Sequence, residues 1–566
     1  MRKKVLAPML ALAMVMAALT GCTSENSTDD SKKAETTEKN DAADTSASED
    51  SKSSESSMET RNVGGLQLPL CEEKEELSVW LVYGGTAVKD LNDIKGIQKM
   101  EENTNVHINW TPVALNEINE KLGIMLTSGD YPDIIYAASS GYPGGISKGI
   151  EDGVIVDNMD ELIRAYMPNY MNIINTSEEA KKEATDDSGK MTSLKVMVGT
   201  DTTIQSEGSY YGMAYRQDLM EKYNLEVPLT VDGWHDVLVK AKDAGIEIPF
   251  ELQKNGGSYL SLAWGVNTNS RNYFQVDGDT VVYAPMLQGF GDYLETMRQW
   301  YSEGLIDPNF TSWDIMANAN YVQDNKVLLY STWVSAVCAH GLLNFGQITN
   351  EEAYLQALGQ PVLNEGDKPI QCFRRVIAKD PIYITTSCKN PELAAKWLDY
   401  QYSDEGCFLN WYGTEGESWT YGADGTPQFT ELITNNPDGL PMTEVLQYYA
   451  LNQGQCWLGK HDVEAGWKIS TIQGGGNNLQ LEAVDIWSEP ETNIYLTESL
   501  ELTDEEAVKV TQLQTALTTM VEEYMVNYIL GNTNQSYTDF RSELEGYGTA
   551  ELTQIYQDAY DRYLTR

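Results

Sequence analysis

The amino-acid sequence predicts an α/β protein built as two lobes. Three observations point there. Strand and helix patterns alternate from Glu76 to Tyr136, a second alternating block runs from Tyr211 to Trp333, and the last part of the chain is strongly helical. Strands separated by helices imply parallel strands joined by right-handed crossovers.

In the first block, Leu77, Val79 and Leu81 alternate along Glu76–Tyr83, which runs into a Gly84-Gly85 turn. Ile94, Ile97 and Met100 recur at helical spacing between about 88 and 103. Val106 to Trp110 is a second strand, Ile118 to Thr127 a helix stopped by Ser128-Gly129-Asp130, and Ile134-Ile135-Tyr136 a short buried strand. Asp133, at its entry, reads as structural. Ligands of such sheets sit beyond the carboxyl ends of the strands. Those ends carry Tyr83, Ser139, Ser140 and Tyr142, which become candidate ligand contacts.

In the second block, Tyr211–Tyr215 is a strand leading into a helix through Tyr223, with Asp218 expected to cap it. Thr230 caps a helix that reaches about Ala244, with Asp232 and Asp236 favouring its early turns. Asp277-Gly278-Asp279 turns a hairpin into Thr280–Tyr283, and Phe290 to Glu303 is a helix closed by Gly304. Lys326–Tyr330 is a buried strand ending in Ser331-Thr332-Trp333. Asn390-Pro391-Glu392 starts another helix, with proline in its first turn. Thr503-x-x-Glu506 is a capping box; its helix runs to Gly531, and two more helices follow.

The 566 residues carry 39 Lys and Arg against 85 Asp and Glu, a formal charge of −46. Phosphate binding needs clustered cations, so nucleic acid is excluded as a partner, as is a polybasic membrane patch. Four scattered histidines argue against a His-rich metal site or a His-based triad. There is no HExxH or P-loop. Thr185-Asp186-Asp187-Ser188-Gly189 and Asp277-Gly278-Asp279 read as acidic turns. No catalytic residue, metal or cofactor is expected. The main rival class is a surface-anchored glycosidase, whose carboxylate pair cannot be picked out among 85 acids. A binding protein for a peptide or other non-sugar solute is a further alternative, and an adhesin ranks last.

Arg2, Lys3 and Lys4 precede an apolar run from Val5 to about Leu19, too short for a membrane-spanning helix. Leu19-Thr20-Gly21-Cys22 resembles the bacterial lipobox. That resemblance implies a signal peptide over 1–21 and a lipidated Cys22, whose two acyl chains anchor the chain stably. Residues 22–75 read as an acidic, Ser-rich tether with too little apolar surface to fold. The other cysteines, at 71, 338, 372, 388, 407 and 456, form no CxxC pair and leave disulfides undecided.

The order of motifs beyond the tether resembles the extracellular solute-binding lipoproteins of bacterial ABC importers, family 1, the carbohydrate type. The stretches that carry the resemblance are Leu126-Thr127-Ser128-Gly129-Asp130-Tyr131-Pro132-Asp133-Ile134-Ile135, Tyr215-Arg216-Gln217-Asp218-Leu219, Pro228-Leu229-Thr230 with Trp234, Gly304-Leu305-Ile306-Asp307-Pro308 and Asn390–Asp399 with Glu405-Gly406. An excess of chain between about 405 and 500 is similar to the long-chain Gram-positive branch. The resemblance implies a two-lobe periplasmic-binding-protein-like fold, with hinge strands and a ligand cleft between the lobes. It implies crossings near 197–210, 328–334 and 377–386. The lobes would be 76–200 with 332–378, and 201–331 with 379–566. It also implies a monomer on the outer face of the membrane that delivers an oligosaccharide to ABC permease subunits.

A sugar ring has apolar C–H faces and a rim of hydroxyls, so aromatic rings and polar groups read it. The chain has 13 Trp and 33 Tyr against 9 Phe, a bias toward aromatics with a polar handle. Trp333, at a strand end, is the leading stacking candidate. Glu207 and Tyr210 beside the first crossing, Trp264 in the second lobe, and Trp411 and Trp457 in the long insert complete the set.

Overall fold

The computed structural model describes residues 60–566, apart from 139–140, 200–210, 313–319, 335–349, 374–376 and 463–478 and the single positions 177, 271, 351, 424 and 455. The signal peptide, Cys22 and the tether up to residue 59 lie outside the described residues. Among the described residues no helix is long and apolar enough to cross a membrane.

The described residues open with a small hairpin of β1 (Arg61–Val63) and β2 (Leu66–Leu68), so the stretch from 60 to 75, expected as tether, is folded instead: Leu66 and Leu68 bury their side chains in the core of the first sheet. β3 (Glu75–Val82) then pairs in parallel with β4 (Val106–Val113) on one side and β5 (Ile134–Tyr136) on the other. All three residues of β5 are buried, and a strand covered on both faces needs such a continuous apolar run. Asp133 acts structurally, as expected: its carboxylate accepts from the Ser78 backbone N–H (2.7 Å) and hydroxyl (2.6 Å), locking β5 to β3. β6 (Leu194–Gly199) is the last strand before the chain leaves this sheet.

A second sheet contains β7 (Tyr211–Arg216), β8 (Ile248–Phe250), β11 (Val327–Trp333) and β12 (Leu355–Leu358), in the order β12-β7-β11-β8. A hairpin of β9 (Phe274–Asp277) and β10 (Thr280–Tyr283) turns where expected, at Asp277-Gly278-Asp279. β13 (Ile370–Gln371) leads back to the first sheet, where β14 (Ile377–Ile384) runs antiparallel to both β5 and β6. After the hairpin β15 (Trp419–Tyr421)–β16 (Pro427–Phe429), β17 (Lys460–Asp462) joins β6 in parallel. The first sheet is thus ordered β17-β6-β14-β5-β3-β4. β18 (Thr492–Asn493) pairs with β13, and the helices Asp504–Ile529, Tyr537–Gly546 and Thr549–Leu564 close the chain.

Each sheet has its own core. Val79, Leu81, Ile134, Ile382 and Trp397 pack in the first; Trp234, Phe250, Tyr293, Trp300 and Leu328 pack in the second. The helix starts follow the capping chemistry. Thr230 Oγ1 accepts from Gly233 N–H, Asn390 Oδ1 accepts from Leu393 N–H ahead of Pro391, and both bonds of the Thr503–Glu506 box are present. Asp218 is different. Instead of capping, it takes Nε and Nη2 of Arg216 (2.7 and 2.6 Å) and the backbone N–H of Tyr354. The Arg216 side chain is fully buried, and a buried charge requires a partner.

The lobe boundaries differ from those expected. β12 (355–358) belongs to the second sheet, not the first, and 377–462 belongs to the first lobe, not the second. The described strands place the crossings between Gly199 and Tyr211, Leu358 and Ile377, and Asp462 and Leu479. The expected crossing at 328–334 is absent, because β11 pairs along β7 from Leu329↔Tyr215 to Trp333↔Tyr211 and the chain returns to that same sheet as β12. Strand patterns reveal that a strand exists; its partner depends on register, which local periodicity does not encode.

The lobes are also tied away from the crossings. Arg566, nearly buried, donates through Nε to Asp187 (2.8 Å) and through Nη1 to the Thr185 carbonyl (2.8 Å). Arg562 bridges Asp187 (3.0 Å) and Glu506 (2.6 Å), and the Tyr563 hydroxyl donates to Glu183 (2.9 Å). The acidic turn at 185–189 is therefore filled by the chain's own guanidinium groups. Truncating a buried ion pair on one side strands the other charge. Arg566→Ala is expected to lower unfolding stability by about 3 kcal/mol, read as a fall in the urea midpoint with the native circular dichroism retained.

Candidate ligand-binding site

The sheet ends where the chain crosses form the two sides of the candidate site. On the first lobe these are the carboxyl ends of β3, β5, β6 and β17 and the beginning of β14. On the second they are the start of β7 and the end of β11.

β14 begins with a bulge. Its register to β6 slips between Lys379 and Pro381, and Asp380 takes a left-handed φ of 54°. A bulge re-aims the side chains beside it. Lys379 Nζ lies 4.0 Å from the ring centroid of Trp457. Trp457, half-buried, stands edge-on to Trp411 (5.4 Å, 80°) and to His461 (5.2 Å, 79°). Trp411 and His461 stack face to face at 3.6 Å and 12°. Trp411 is sealed in, donating Nε1–H to the Lys460 carbonyl (3.1 Å), so Trp457 is the outer ring of the cluster.

Burial, with the nearby Lys379 charge, pushes the His461 imidazole down to about 3. Its Nδ1 is buried with no hydrogen-bond partner among the described residues. Below its ordinary pKa of about 6.5 the unfolded chain binds a proton that the folded chain refuses. His461 therefore subtracts stability increasingly as pH falls from about 6.5 toward about 3.

Tyr83 is a wall rather than an open platform. Its ring lies between Gly85 and Gly454, where an added Cβ would come within 2.4 and 2.0 Å of it. The Gly84 N–H donates to the Gly454 carbonyl (2.7 Å), which holds this stack. Burial first, then the Cys456 thiol, pushes the Tyr83 hydroxyl up to about 12. Tyr142 is also buried, donating to Asp152 (2.9 Å) and meeting Tyr383 edge-on.

On the second lobe, Tyr211 and Tyr259 stack at 6.4 Å and 18°, with Tyr211 55% exposed. Tyr259 is held by its N–H to Ser331 Oγ (3.2 Å) and by Gln360 Nε2 on its carbonyl (3.3 Å). Gly212, next to Tyr211, lets Trp487 approach to 2.5 Å of where a Cβ would sit, and Trp487 Nε1 donates to the Met213 carbonyl (3.0 Å). Trp333 pairs through its backbone with Tyr211 at the same sheet end; its side chain lies outside what is described. Trp264 is half-buried, edge-on to Tyr293 at 5.6 Å and 69°. Ser139, Ser140, Glu207 and Tyr210 lie outside the described residues.

The structure thus brings Trp411 and Trp457 together on one rim and places the Trp333 backbone on the other. Sequence reasoning missed Lys379, His461, Tyr211 and Tyr259. A signal for the first was present: Lys-Asp-Pro inside the strand pattern Ile377–Ile384 marks a bulge. Tyr211 becomes visible only through its register with Trp333.

The sequence matches the bacterial extracellular solute-binding protein family over residues 90–406, more than half of the chain. The chain belongs to that family. Among relatives of this solute-binding protein is the fructooligosaccharide ABC transporter substrate-binding protein FusA of Streptococcus pneumoniae, 26% identical over 518 residues, 88% of this chain and 92% of FusA. A crystal structure of a FusA EF-hand mutant with fructo-nystose aligns at a TM-score of 0.64, 23% identity, over 87% of this chain and 99% of that one. A human-milk-oligosaccharide-binding, ABC-transporter-associated solute-binding protein of Bifidobacterium longum infantis aligns at 0.68, 16% identity, over the same 87% of this chain and 99% of its own. These likenesses show the two-lobe fold. In the solute-binding protein described here, no group of His, Cys, Asp or Glu among the described residues is arranged to hold a metal ion. Cys71, Cys372, Cys388, Cys407 and Cys456 are free thiols.

His461→Phe keeps an aromatic ring on Trp411 and removes the titration. The melting temperature of the wild type is expected to fall relative to that variant as pH drops from 7 to 4. Parallel melting profiles across that range would contradict the assignment.

Proposed function

We propose that the protein is the lipid-anchored substrate-binding component of an ABC importer, holding an oligosaccharide between its lobes. The observation that carries this reading is the pair of aromatic platforms at the crossing ends: Trp457 with Trp411 and His461 on one lobe, Tyr211 with Tyr259 on the other. Aromatic faces on both sides suit a ligand with apolar faces on both sides, and Lys379 and Gln360 offer polar groups for its hydroxyl rim. FusA, which covers most of this chain, is named for a fructooligosaccharide. That supports an oligosaccharide over a monosaccharide. Closure of the two lobes by hinge motion would complete the site.

In this reading Cys22 carries the acyl chains, the acidic segment up to 59 spaces the body from the membrane, and the closed monomer meets the permease subunits outside the cell. Trp333, Tyr83, Tyr142, Ser139, Ser140, Glu207, Tyr210 and Trp264 stay as proposed contacts, with Trp457 first among the described side chains. The reading assigns no catalytic residue.

Calorimetry of the mature domain against a panel of oligosaccharides, with product analysis of the same samples, tests this. Saturable binding without cleavage is expected. Cleavage of the sugar, or binding of a peptide and of no sugar, would sink the assignment. Trp457→Ala and Trp333→Ala are each expected to weaken binding by about 1–3 kcal/mol, the loss that follows removal of a buried aromatic contact. Unchanged affinity in a folded variant removes that residue from the site.

A further inference from the structure

We propose that the first lobe carries a second saccharide site on its outer surface, separate from the interlobe rim. A cavity of about 570 Å3 opens between the helix Asp404–Trp411, the end of the helix Lys95–Thr104 and β15. Small-ligand sites typically enclose roughly 300–1,000 Å3.

One wall is aromatic. Trp419 packs at 4.7 Å on Phe408 and at 5.1 Å, 81°, against Tyr421, whose side chain remains 52% exposed. The opposite wall is polar and rigid. Glu405 accepts from both Nη atoms of Arg61 (2.5 Å each), from Asn103 Nδ2 (2.6 Å) and from the Tyr400 hydroxyl (2.5 Å). Burial opposes its charge, but the bonds from Arg61 and Tyr400 outweigh burial and hold the carboxyl below its ordinary range. Side chains fixed before a ligand arrives lose little freedom on binding it.

The cavity lies away from the rim. Lys99 and Asn103 precede the amino end of β4, the sheet edge opposite the strand ends that carry Tyr83. Glu405 sits at the start of the helix whose other end carries Trp411, about 9 Å along the helix axis. The residue types decide the ligand class. Asp404, Glu405 and Glu415 line the cavity, and its two cations are already paired, Arg61 with Glu405 and Lys99 with Glu102 (3.0 Å), so an anion is disfavoured. An exposed ring beside carboxylate and hydroxyl groups offers a C–H stacking face and acceptors for hydroxyl protons, which is the chemistry of a neutral sugar. The choice of a sugar as ligand rests on the saccharide reading of the cleft; the placement of the cavity does not.

The test is calorimetry with fructo-, xylo- and malto-oligosaccharides on the wild type and on Tyr421→Ala, with Glu415→Lys as a second exposed variant. The wild type is expected to bind two sugars per chain, one at least tenfold more weakly. Tyr421→Ala is expected to weaken that weaker phase at least tenfold and leave the tight phase and the melting temperature unchanged, while Trp457→Ala does the reverse. One sugar per chain, or a weak phase indifferent to both Tyr421→Ala and Glu415→Lys, overturns the proposal and spares the cleft. A Tyr421→Ala variant that keeps both phases but loses uptake in cells assigns the cavity to a protein partner and also overturns it. Binding of no sugar by the wild type removes the cleft reading and this one together.

Discussion

The pairing of β14 between β5 and β6 is the constraint on which the rest of the molecule depends. Ile382 faces Tyr136 on one side and Leu194 on the other, both through antiparallel ladders in an otherwise parallel sheet. A strand inserted in the reverse direction must enter from the end at which its neighbours finish. That brings the chain in from the second lobe at Ile377 beside the point where β6 leaves for it at Gly199. The crossings therefore gather at one edge of the sheet, and the carboxyl ends of β3 and β5 are left facing the other lobe. The bulge at Asp380 sits at that entry, and it turns Lys379 onto Trp457. Topology and site chemistry meet in the first residues of one strand.

The aromatic residues divide by burial into two tasks. Trp411, Tyr83 and Tyr142 are nearly sealed, and their polar tips bond a carbonyl or carboxylate, or are orphaned among the described groups, as the Tyr83 hydroxyl is. They set the shape of the rim. Trp457 and Tyr211 stand outside them, each supported by a ring behind it, Trp411 and Tyr259 respectively. A ring braced by a second ring keeps a fixed orientation, so it presents its surface without first having to be ordered. The preference for Trp and Tyr over Phe follows, since rings at a rim need one apolar side and one wet tip.

Much of the fold was legible in the sequence because it is written locally. The caps at Thr230, Asn390 and Thr503, the hairpin at Gly278 and the buried run Ile134–Tyr136 depend on residues within a few positions of one another. The lobe boundaries were not legible for the same reason. Whether β11 pairs with β7 or crosses over, and whether β17 returns to β6, depends on partners more than a hundred residues away in sequence. The candidate site shared this limit. Trp411 and Trp457 could be named from composition and position. Their neighbour His461 could not, because its only distinguishing property is a stack that arises when β17 docks on β6. Asp218 showed the opposite error: a plausible local cap lost to a buried guanidinium, a stronger electrostatic demand that only the folded environment reveals.

The same discontinuity has a temporal side. β6 is 194–199, yet its outer neighbour is β17 at 460–462, and β14 between them and β5 arrives only at 377. The second lobe is assembled in the interval and completed later still by helices ending at 564. A chain emerging from its amino end therefore carries half a sheet with an open apolar edge while more than two hundred further residues pass. Neither lobe is a unit that can finish alone, and long-range pairing of this kind is slow. For a protein built as two interleaved lobes, folding is a single undertaking, committed only when nearly the whole chain is present.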